Sequence, residues 1–283
     1  MKFFDVLVLG AGGAGMMCAI EAGKRGRKVA LFDHATKVGA KILISGGGRC
    51  NFTNTGVGPE NYVSQNPHFC RSALTRYTPQ DFIELVKAHK IPYHEKKLGQ
   101  LFCDRSAKDI VGMLEEECRK AAVDVQLNQR VASITKAEKF EVRTSYGDYQ
   151  CDSLVIATGG LSIPKIGATG FGYDLARQFG LKIVLPFPAL DGFRFKAADL
   201  KKFGDLTGVS TDALVTCGKA SFRENILFTH AGLSGPAALQ ASLYWNKDNT
   251  LRINFVPGQS TEKLVKWFLH HKKGGSKVEI KTL

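Results

Sequence analysis

The stretch that decides the fold is VLVLGAGGAG, residues 6–15. A strand is predicted at residues 4–9, with the apolar run 6–9 buried, and it leads directly into a turn with the spacing G-x-G-x-x-G. A helix is predicted from Ala14 to about Lys24, and a second strand follows at 28–32. Strand, glycine turn, helix and strand in this order form a βαβ unit, the local structure that binds dinucleotides.

Each glycine of the turn has a separate task in such a unit. The first permits the tight turn, the second lets a pyrophosphate approach the backbone, and the third lets the helix pack closely on the strand. The free N–H groups at the start of the helix then face the phosphates, helped by the helix dipole. The predicted pyrophosphate contacts are Gly10, Gly12, Gly13, Ala14 and Gly15.

An acidic residue stands at the tip of the second predicted strand. Asp33 follows the apolar run, at the position where a carboxylate accepts hydrogen bonds from the hydroxyls of a ribose. It would repel a 2′-phosphate, so the pattern disfavours NADP in this first site. The alternative is a surface acid that happens to follow a strand.

A second glycine-rich stretch is KILISGGGRCN, residues 41–51. Three consecutive glycines beside polar side chains suggest backbone held close to a flat or anionic ligand, and a cation here could balance a pyrophosphate. A flexible surface loop is the alternative interpretation of this stretch. The thiol of Cys50 could be redox-active, or it could be buried and inert. The candidate contacts are Lys41, Ser45, Gly46, Gly47, Gly48, Arg49, Cys50 and Asn51.

The chain returns to the predicted sheet after residue 139. Residues 140–144 and 149–151 predict a hairpin around Gly147, and the apolar run 153–157 predicts a central strand. That strand ends in the second glycine signature of such folds, which passes close to the cofactor: Thr158, Gly159 and Gly160. Val131 is placed to meet an adenine ring through its backbone, with a plain core valine as the alternative. These features predict FAD as the cofactor.

Composition and charge bear on the cellular location, on metal and disulfide sites, and on a nucleic-acid partner. Hydrophobic residues make up 44% and charged residues 23%, as in globular proteins, and no apolar run is long enough to span a membrane. We therefore expect a cytoplasmic protein without a membrane partner. The seven cysteines include no C-x-x-C pair, which disfavours a metal site or a disulfide framework. The formal charge of +13 is dispersed along the chain, so we expect no specific nucleic-acid partner.

Several motifs together resemble one known family. The chain is similar to the BaiN-like (YhiN-like) family of bacterial NAD(P)/FAD-dependent oxidoreductases, also called aminoacetone-oxidase-family FAD-binding enzymes. The matching residues cover essentially the whole chain and comprise 10–15, 41–54, 99–103, 157–160, 167–172 and 227–236.

The resemblance implies an α/β fold with a Rossmann-like, two-dinucleotide-type FAD-binding domain at 1–186. It also implies an inserted, β-rich second domain at 187–283 that is incomplete at its C-terminal end. Chains of this family run on, return to the FAD domain and supply a Gly-Glu-x-x-Asp type loop against the flavin. We therefore expect these 283 residues to hold the ADP half of FAD better than its isoalloxazine, with little turnover.

The resemblance further implies an FAD-dependent oxidoreductase that acts on a small organic substrate, with NAD(P)H as electron partner. Flavin performs the redox chemistry, so the sequence forces no catalytic acid or base. His230, in FTHAG at 228–232, is a weak catalytic candidate because histidine titrates near neutrality, and a structural role is the alternative. A non-catalytic, truncated FAD-binding fragment and a flavoprotein acting on nucleic acid stay open as alternative functions.

Overall fold

The protein is described by a computed structural model that covers residues 1–246 and 248–273. The end of the predicted second domain, residues 274–283, lies outside the described residues. The chain divides into two compact units, Met1–Leu185 and Pro186–Leu283. Each unit has its own hydrophobic core.

The secondary structure of the first unit begins with a strand and ends with a helix. Its elements in chain order are β1 Lys2–Leu9, α1 Gly13–Lys24, β2 Val29–Phe32, α2 Ala40–Ile44, β3 Asn51–Asn54, α3 Arg71–Arg76, α4 Pro79–Ala88, β4 Tyr93–Glu95, β5 Gln100–Cys103, α5 Lys108–Lys120, β6 Asp124–Gln126, β7 Val131–Lys136, β8 Phe140–Thr144, β9 Gly147–Ile156 and α6 Phe171–Gln178. The second unit adds β10 Phe193–Arg194, α7 Ala197–Phe203, β11 Ser210–Cys217, β12 Ala220–Thr229, β13 Gly232–Ser234, α8 Pro236–Ser242, β14 Leu251–Asn254 and α9 Thr261–Lys273.

The main sheet of the first unit has the strand order β6-β2-β1-β9-β8-β7. Strands β6, β2, β1 and β9 are parallel, and β8 and β7 continue the sheet antiparallel. The predicted βαβ unit is therefore present as β1–α1–β2, and β9 pairs with the other side of β1. This arrangement confirms the predicted Rossmann-like fold, in which ligands bind beyond the carboxyl ends of the central strands.

The central strands are apolar because both faces of the sheet are covered. On one face, Met16 and Ile20 of α1 pack with Ile110 and Leu114 of α5 in a single core. On the other face, the ring of Phe32 meets that of Tyr149 edge to face, with centroids 4.7 Å apart. The packed layers make a rigid support for the turn that follows β1.

One strand differs from its prediction. Strand β9 runs without a break from Gly147 to Ile156, whereas the sequence predicted a hairpin strand followed by a separate central strand. The hairpin turns at residues 145–146 and not at Gly147. The hydroxyl of Thr144 closes this turn, since it accepts a hydrogen bond from the Tyr146 amide at 3.2 Å and donates one to the Gly147 carbonyl at 3.1 Å.

The second unit is built on an antiparallel sheet with the order β10-β13-β12-β11-β14. Helix α8 covers it with small side chains, and Ala237, Ala238 and Ala241 are fully buried with Val215 and Ile226 in one core. The unit is β-rich, as the sequence predicted. In the part of the chain that the structure describes, no helix combines the length and hydrophobicity needed to cross a bilayer.

Buried Glu117 links three helices of the first unit. Its carboxylate accepts hydrogen bonds from Lys120 and His89, both at 2.9 Å, and pairs with Lys24 at 3.4 Å. The Lys120 hydrogen bond is the main reason that the pKa of Glu117 falls from 4.5 to about 2, and burial opposes the shift. A carboxyl group whose pKa is lower in the folded than in the unfolded protein stabilises the fold at pH values above its unfolded-state pKa. This stabilisation is lost as the pH falls through the folded-state pKa.

We expect Glu117→Gln to lower the free energy of unfolding at pH 7 by about 2–3 kcal/mol. The difference from wild type should shrink between pH 4.5 and about 2, because the native carboxylate takes up its proton in that range. Denaturant unfolding across this pH range measures the effect. The control is Glu116→Gln, which removes a solvent-exposed pair with Arg119 and should change stability much less than Glu117→Gln does. Equal effects of the two variants would contradict the role of Glu117.

Candidate functional site

A cleft of about 480 Å³ opens at the carboxyl ends of β1, β2 and β9. This is where an open α/β sheet binds its ligand. All the residues that line the cleft belong to the first unit. They are residues 9–14, 32–35, 37, 40–41, 129–131, 157–159, 166–169 and 171.

The glycines of the first turn divide into two kinds. A Cβ added to Gly10 would overlap the carbonyl oxygen of Ala157, and the backbone there is left-handed, with φ +106°. A Cβ added to Gly15 would overlap the carbonyl oxygen of Gly10. Both glycines are therefore required by the packing of the protein itself, which agrees with the turn and packing tasks predicted for them.

Gly12 differs from these two glycines, because the position of its missing side chain faces the open cleft and not the protein interior. A Cβ added there would meet no protein atom within 4 Å, and the backbone is extended, with φ −83°. Gly12 is also the N-cap residue of α1, and this helix has neither a side-chain cap nor an acidic residue in its first turn. Unpaired N–H groups at a helix N-terminus bind phosphate, so this end of the cleft fits the pyrophosphate of FAD.

Asp33 joins the tip of β2 to the glycine turn. One carboxylate oxygen accepts a hydrogen bond from the Ala11 amide at 2.7 Å, and the other accepts one from the Ala35 amide at 2.8 Å. The side chain is 15% exposed and lines the cleft. A carboxylate oxygen can accept more than one hydrogen bond, so Asp33 can also bind a ribose hydroxyl. The sequence predicted the ribose contact and missed the structural one.

We expect Asp33→Ala to weaken FAD binding by roughly 1–3 kcal/mol, since hydrogen bonds to a charged acceptor are typically worth that much. Titration of FAD into flavin-free protein measures the loss. The matched control is Asp5→Ala, because Asp5 accepts a hydrogen bond from the Lys28 amide at 2.7 Å beside the start of β2, away from the cleft. Equal affinities of the two variants would show that Asp33 only supports the fold.

A lysine brings positive charge to the same cleft. The Nζ atom of Lys41 donates to the Ser162 hydroxyl at 3.0 Å and to the Gly160 carbonyl at 3.4 Å. The structure pairs it with no carboxylate within the described residues. Lys41 therefore keeps its charge available to a pyrophosphate. Three other predicted contacts also line the cleft: Val131, Thr158 and Gly159.

A second cavity of about 370 Å³ lies beside the cleft and shares Gly13 and Lys41 with it. Ser45, Cys50 and Asn51 line this cavity, and the rest of the lining is apolar: Met17, Ile42, Phe52, Phe82, Ile110 and Leu114. Burial raises the pKa of the Cys50 thiol, and its hydrogen bond with Ser45 opposes the shift. The thiol is therefore protonated at neutral pH and is a poor nucleophile.

Some predicted contacts line neither cavity: Gly15, Gly46, Gly47, Gly48, Arg49 and Gly160. Gly46 has φ +56°, and a Cβ there would collide with the ring of Phe102. It serves the short 3₁₀ turn at 45–48 that carries the chain from α2 to β3. Arg49 is exposed to solvent. Contact of these residues with the flavin stays a prediction.

The structure also adds cleft residues that the sequence did not indicate. His34, Lys37, Gln129 and Arg130 lie in the lining, as do residues 166–169 and 171. The motif GATGFG at 167–172 carries a usable signal, because repeated glycines mark close approaches of the backbone. A Cβ on Gly167 would meet the His34 ring at 2.8 Å. No sequence pattern around Gln129 indicates that this residue lines the cleft.

The weak catalytic candidate lies in the second unit. His230 is exposed in the turn between β12 and β13. The hydroxyl of Thr229 shapes this turn by accepting hydrogen bonds from the amides of Ala231 and Gly232, at 3.3 and 3.1 Å. The catalytic role of His230 stays a prediction.

The fold and the cleft define the class as a Rossmann-type FAD-binding flavoprotein. Residues 4–277 match the family described as "HI0933-like protein Rossmann domain". The chain therefore belongs to the HI0933-like family, which is a family of FAD-dependent oxidoreductases. This confirms the cofactor and the enzyme class that the sequence predicted.

Curated relatives support the same assignment. The chain is 50% identical over 264 residues to "Ribosomal RNA dihydrouridine synthase" of Escherichia coli K12, covering 93% of this chain and 66% of the relative. It is 43% identical over 289 residues to the protein of the same name from Haemophilus influenzae, covering 100% and 71%. A Clostridium scindens protein, "3-dehydro-bile acid delta(4,6)-reductase", is 28% identical over 280 residues, covering 93% and 67%. The chain thus spans about two thirds of the length of these relatives.

Proposed function

We propose that the complete protein is an FAD-dependent reductase that converts uridine in ribosomal RNA to dihydrouridine. The observation that carries this proposal is the 50% identity, across 93% of the chain, to a protein named for that reaction. The sequence on its own favoured a small organic substrate. The names of the two nearer relatives favour the nucleic-acid alternative instead.

The proposed reaction adds two hydrogens across one double bond. The C5=C6 bond of uridine is conjugated with the C4 carbonyl, so C6 is the carbon that accepts a hydride and C5 then takes a proton. Reduced FAD, when bound, supplies the hydride. Gly12, Asp33 and Lys41 of the first-unit cleft would hold the ADP half of the cofactor. We propose NAD(P)H as the source of the electrons.

The charge of the chain is compatible with an RNA substrate. A formal charge of +13 attracts a polyanion and speeds its encounter with the protein. The charge is spread along the sequence, so it supports general attraction to RNA and does not select a site. Selection of one uridine requires contacts beyond the cofactor cleft.

A small conjugated carbonyl compound is the second candidate substrate. The more distant relative is named as a reductase of a bile acid double bond. Both names describe the reduction of a carbon–carbon double bond, so one flavin chemistry serves either substrate. The alternative is weaker because the identity is 28% and not 50%.

The test uses the complete protein with FAD, NADPH and ribosomal RNA that lacks dihydrouridine. Mass spectrometry of the digested RNA should show a nucleoside heavier than uridine by two hydrogens. Gly12→Val is the control, because it should lose both FAD and product. Unmodified RNA in an assay where the same protein reduces a small enone would overturn the proposal and favour the second candidate.

A further inference from the structure

One surface segment of the first unit, residues 61–77, carries aromatic rings and positive charge but no acidic residue. Almost every side chain in it is exposed to solvent. The exposed aromatic residues are Tyr62, Phe69 and Tyr77, and the exposed arginines are Arg71 and Arg76. The structure pairs neither arginine with a carboxylate within the described residues. Exposed apolar surface that is grouped in this way marks an interaction site.

A hydrogen-bonded turn holds Phe69 in its exposed position. The Asn66 side-chain oxygen accepts a hydrogen bond from the His68 amide at 3.0 Å, and the Asn66 carbonyl accepts one from the Phe69 amide at 3.1 Å. The Ser64 hydroxyl accepts from the Asn66 amide at 3.0 Å and donates to the Asn66 carbonyl at 2.8 Å. The turn is thus ordered by its own polar groups, and the Phe69 ring is 82% exposed. Burial in the core does not account for a phenylalanine at this position, because the ring loses so little contact with water.

The two arginines follow Phe69 on the same surface. The Cys70 thiol donates to the Pro59 carbonyl at 3.9 Å, so the loop closes at the start of α3. Arg71 and Arg76 are the first and last residues of this short helix. The ring and the two cations are therefore carried by one closed loop and the helix that follows it.

The charge of the segment distinguishes between possible partners. Two arginines and no acidic residue attract a polyanion. A second copy of the chain on the same surface would bring like charges together, which disfavours a symmetric dimer contact. Unpaired RNA bases stack on aromatic rings and on guanidinium planes, while arginines also bind the phosphates. The combination therefore fits single-stranded RNA.

The segment leads directly into α4, a helix that borders the second cavity. Thr78 caps this helix, since its hydroxyl accepts a hydrogen bond from the Asp81 amide at 3.3 Å. Phe82, one turn further along, lines the second cavity, which shares Gly13 and Lys41 with the cofactor cleft. A strand bound to the segment is thus held by the same unit that contains the cofactor cleft.

We propose that residues 61–77 form a docking surface for single-stranded RNA, with one base stacked on Phe69 and with Arg71 and Arg76 bound to phosphates. This surface supplies contacts beyond the cofactor cleft, which the selection of one uridine requires. The inference rests on the proposed function, and it concerns where RNA binds and not how it is reduced.

The test measures the binding of a fluorescent, uridine-rich single-stranded RNA to the complete protein, and of the same RNA annealed to its complement. The wild type should bind the single strand more tightly, because paired bases cannot stack on a side chain. Phe69→Leu stays apolar but loses the flat ring, so it should weaken single-strand binding at least about fivefold and leave duplex binding unchanged. Phe69→Tyr keeps a ring and should retain the wild-type affinity.

Matched controls separate this surface from general effects of exposed side chains. Tyr146 is 69% exposed in the turn between β8 and β9, outside the segment, so Tyr146→Leu should keep the wild-type affinity. Replacing Arg71 and Arg76 by glutamine should reduce the slope of log affinity against log salt concentration by about 0.7 for each arginine. Arg105→Gln should change the slope less, because Arg105 already pairs with Asp109 at 3.2 Å.

Three results would overturn the inference. They are equal single-strand affinity of Phe69→Leu and wild type, equal losses in Phe69→Leu and Tyr146→Leu, and a wild-type dimer that binds no RNA and is dissociated by Phe69→Leu. The last result assigns the surface to a second copy of the chain. Flavin content and melting temperature show that each variant is folded. RNA that binds through Phe69 but is not reduced would reject the proposed function alone, and RNA that is reduced while Phe69→Leu binds it normally would reject this inference alone.

Discussion

Replacement of Gly12 by valine is expected to abolish FAD binding and to leave the fold intact. The new side chain would meet no protein atom within 4 Å at its Cβ, so it adds no clash to the native packing. It would instead fill the part of the cleft where the pyrophosphate approaches the N-terminus of α1. The expected loss exceeds about 100-fold in affinity, because both the phosphate contact and the space are removed.

The measurement combines flavin absorbance of the purified protein with its thermal unfolding curve. Gly112→Val is a matched control, because Gly112 lies on the exposed face of α5 and its added Cβ also meets no atom within 4 Å. It carries the same change in side chain and should keep normal flavin content. A folded Gly12→Val protein with unchanged flavin would show that the pyrophosphate lies elsewhere.

Replacement of Gly15 by valine is expected to have the opposite result, loss of the fold itself. An added Cβ would overlap the backbone oxygen of Gly10 and press on the Cβ of Ala157 at 3.3 Å. These are backbone and short side-chain atoms that cannot turn away. Such overpacking should cost more than about 3 kcal/mol, a large part of the stability of a typical domain.

Soluble yield and denaturant unfolding measure this effect. The control is Gly13→Val in the same helical turn, because an added Cβ on Gly13 meets only the end of the Ile42 side chain at 3.7 Å. That variant should fold and fail mainly in flavin binding. A Gly15→Val protein as stable as wild type would mean that α1 does not pack on β1 as described.

The sequence predicts the parts of the fold whose signals are local. The βαβ unit is recognisable because apolar strands, glycines and Asp33 stand at fixed spacing within one segment. The small sheet β3-β5-β4 is missing from that prediction. Its strands are three or four residues long, and they form only because β5 lies between its two partners. Such pairings are set by tertiary contacts and leave little pattern in the sequence.

The candidate site shows the same division. Gly12 and Asp33 follow from the motif, but the tie between Asp33 and the Ala11 amide does not, since it depends on how β2 meets the turn. The place of Gln129 in the lining could not be found from sequence, because it depends on tertiary contacts of its side chain with Gln126 and Tyr149. In the sequence, the three glycines at 46–48 indicate backbone held close to a ligand. All three have a positive φ, so the left-handed backbone of the turn is sufficient to explain them.

We infer that the cleft of the first unit recognises the ADP half of FAD. Competition binding tests it most directly, with flavin-free protein titrated by FAD in the presence of ADP or FMN. ADP should displace FAD, and FMN should compete weakly, because it lacks the adenosine and second phosphate that meet Asp33 and the α1 N-terminus. Binding of FMN as tight as that of FAD, with no effect of ADP, would contradict the account.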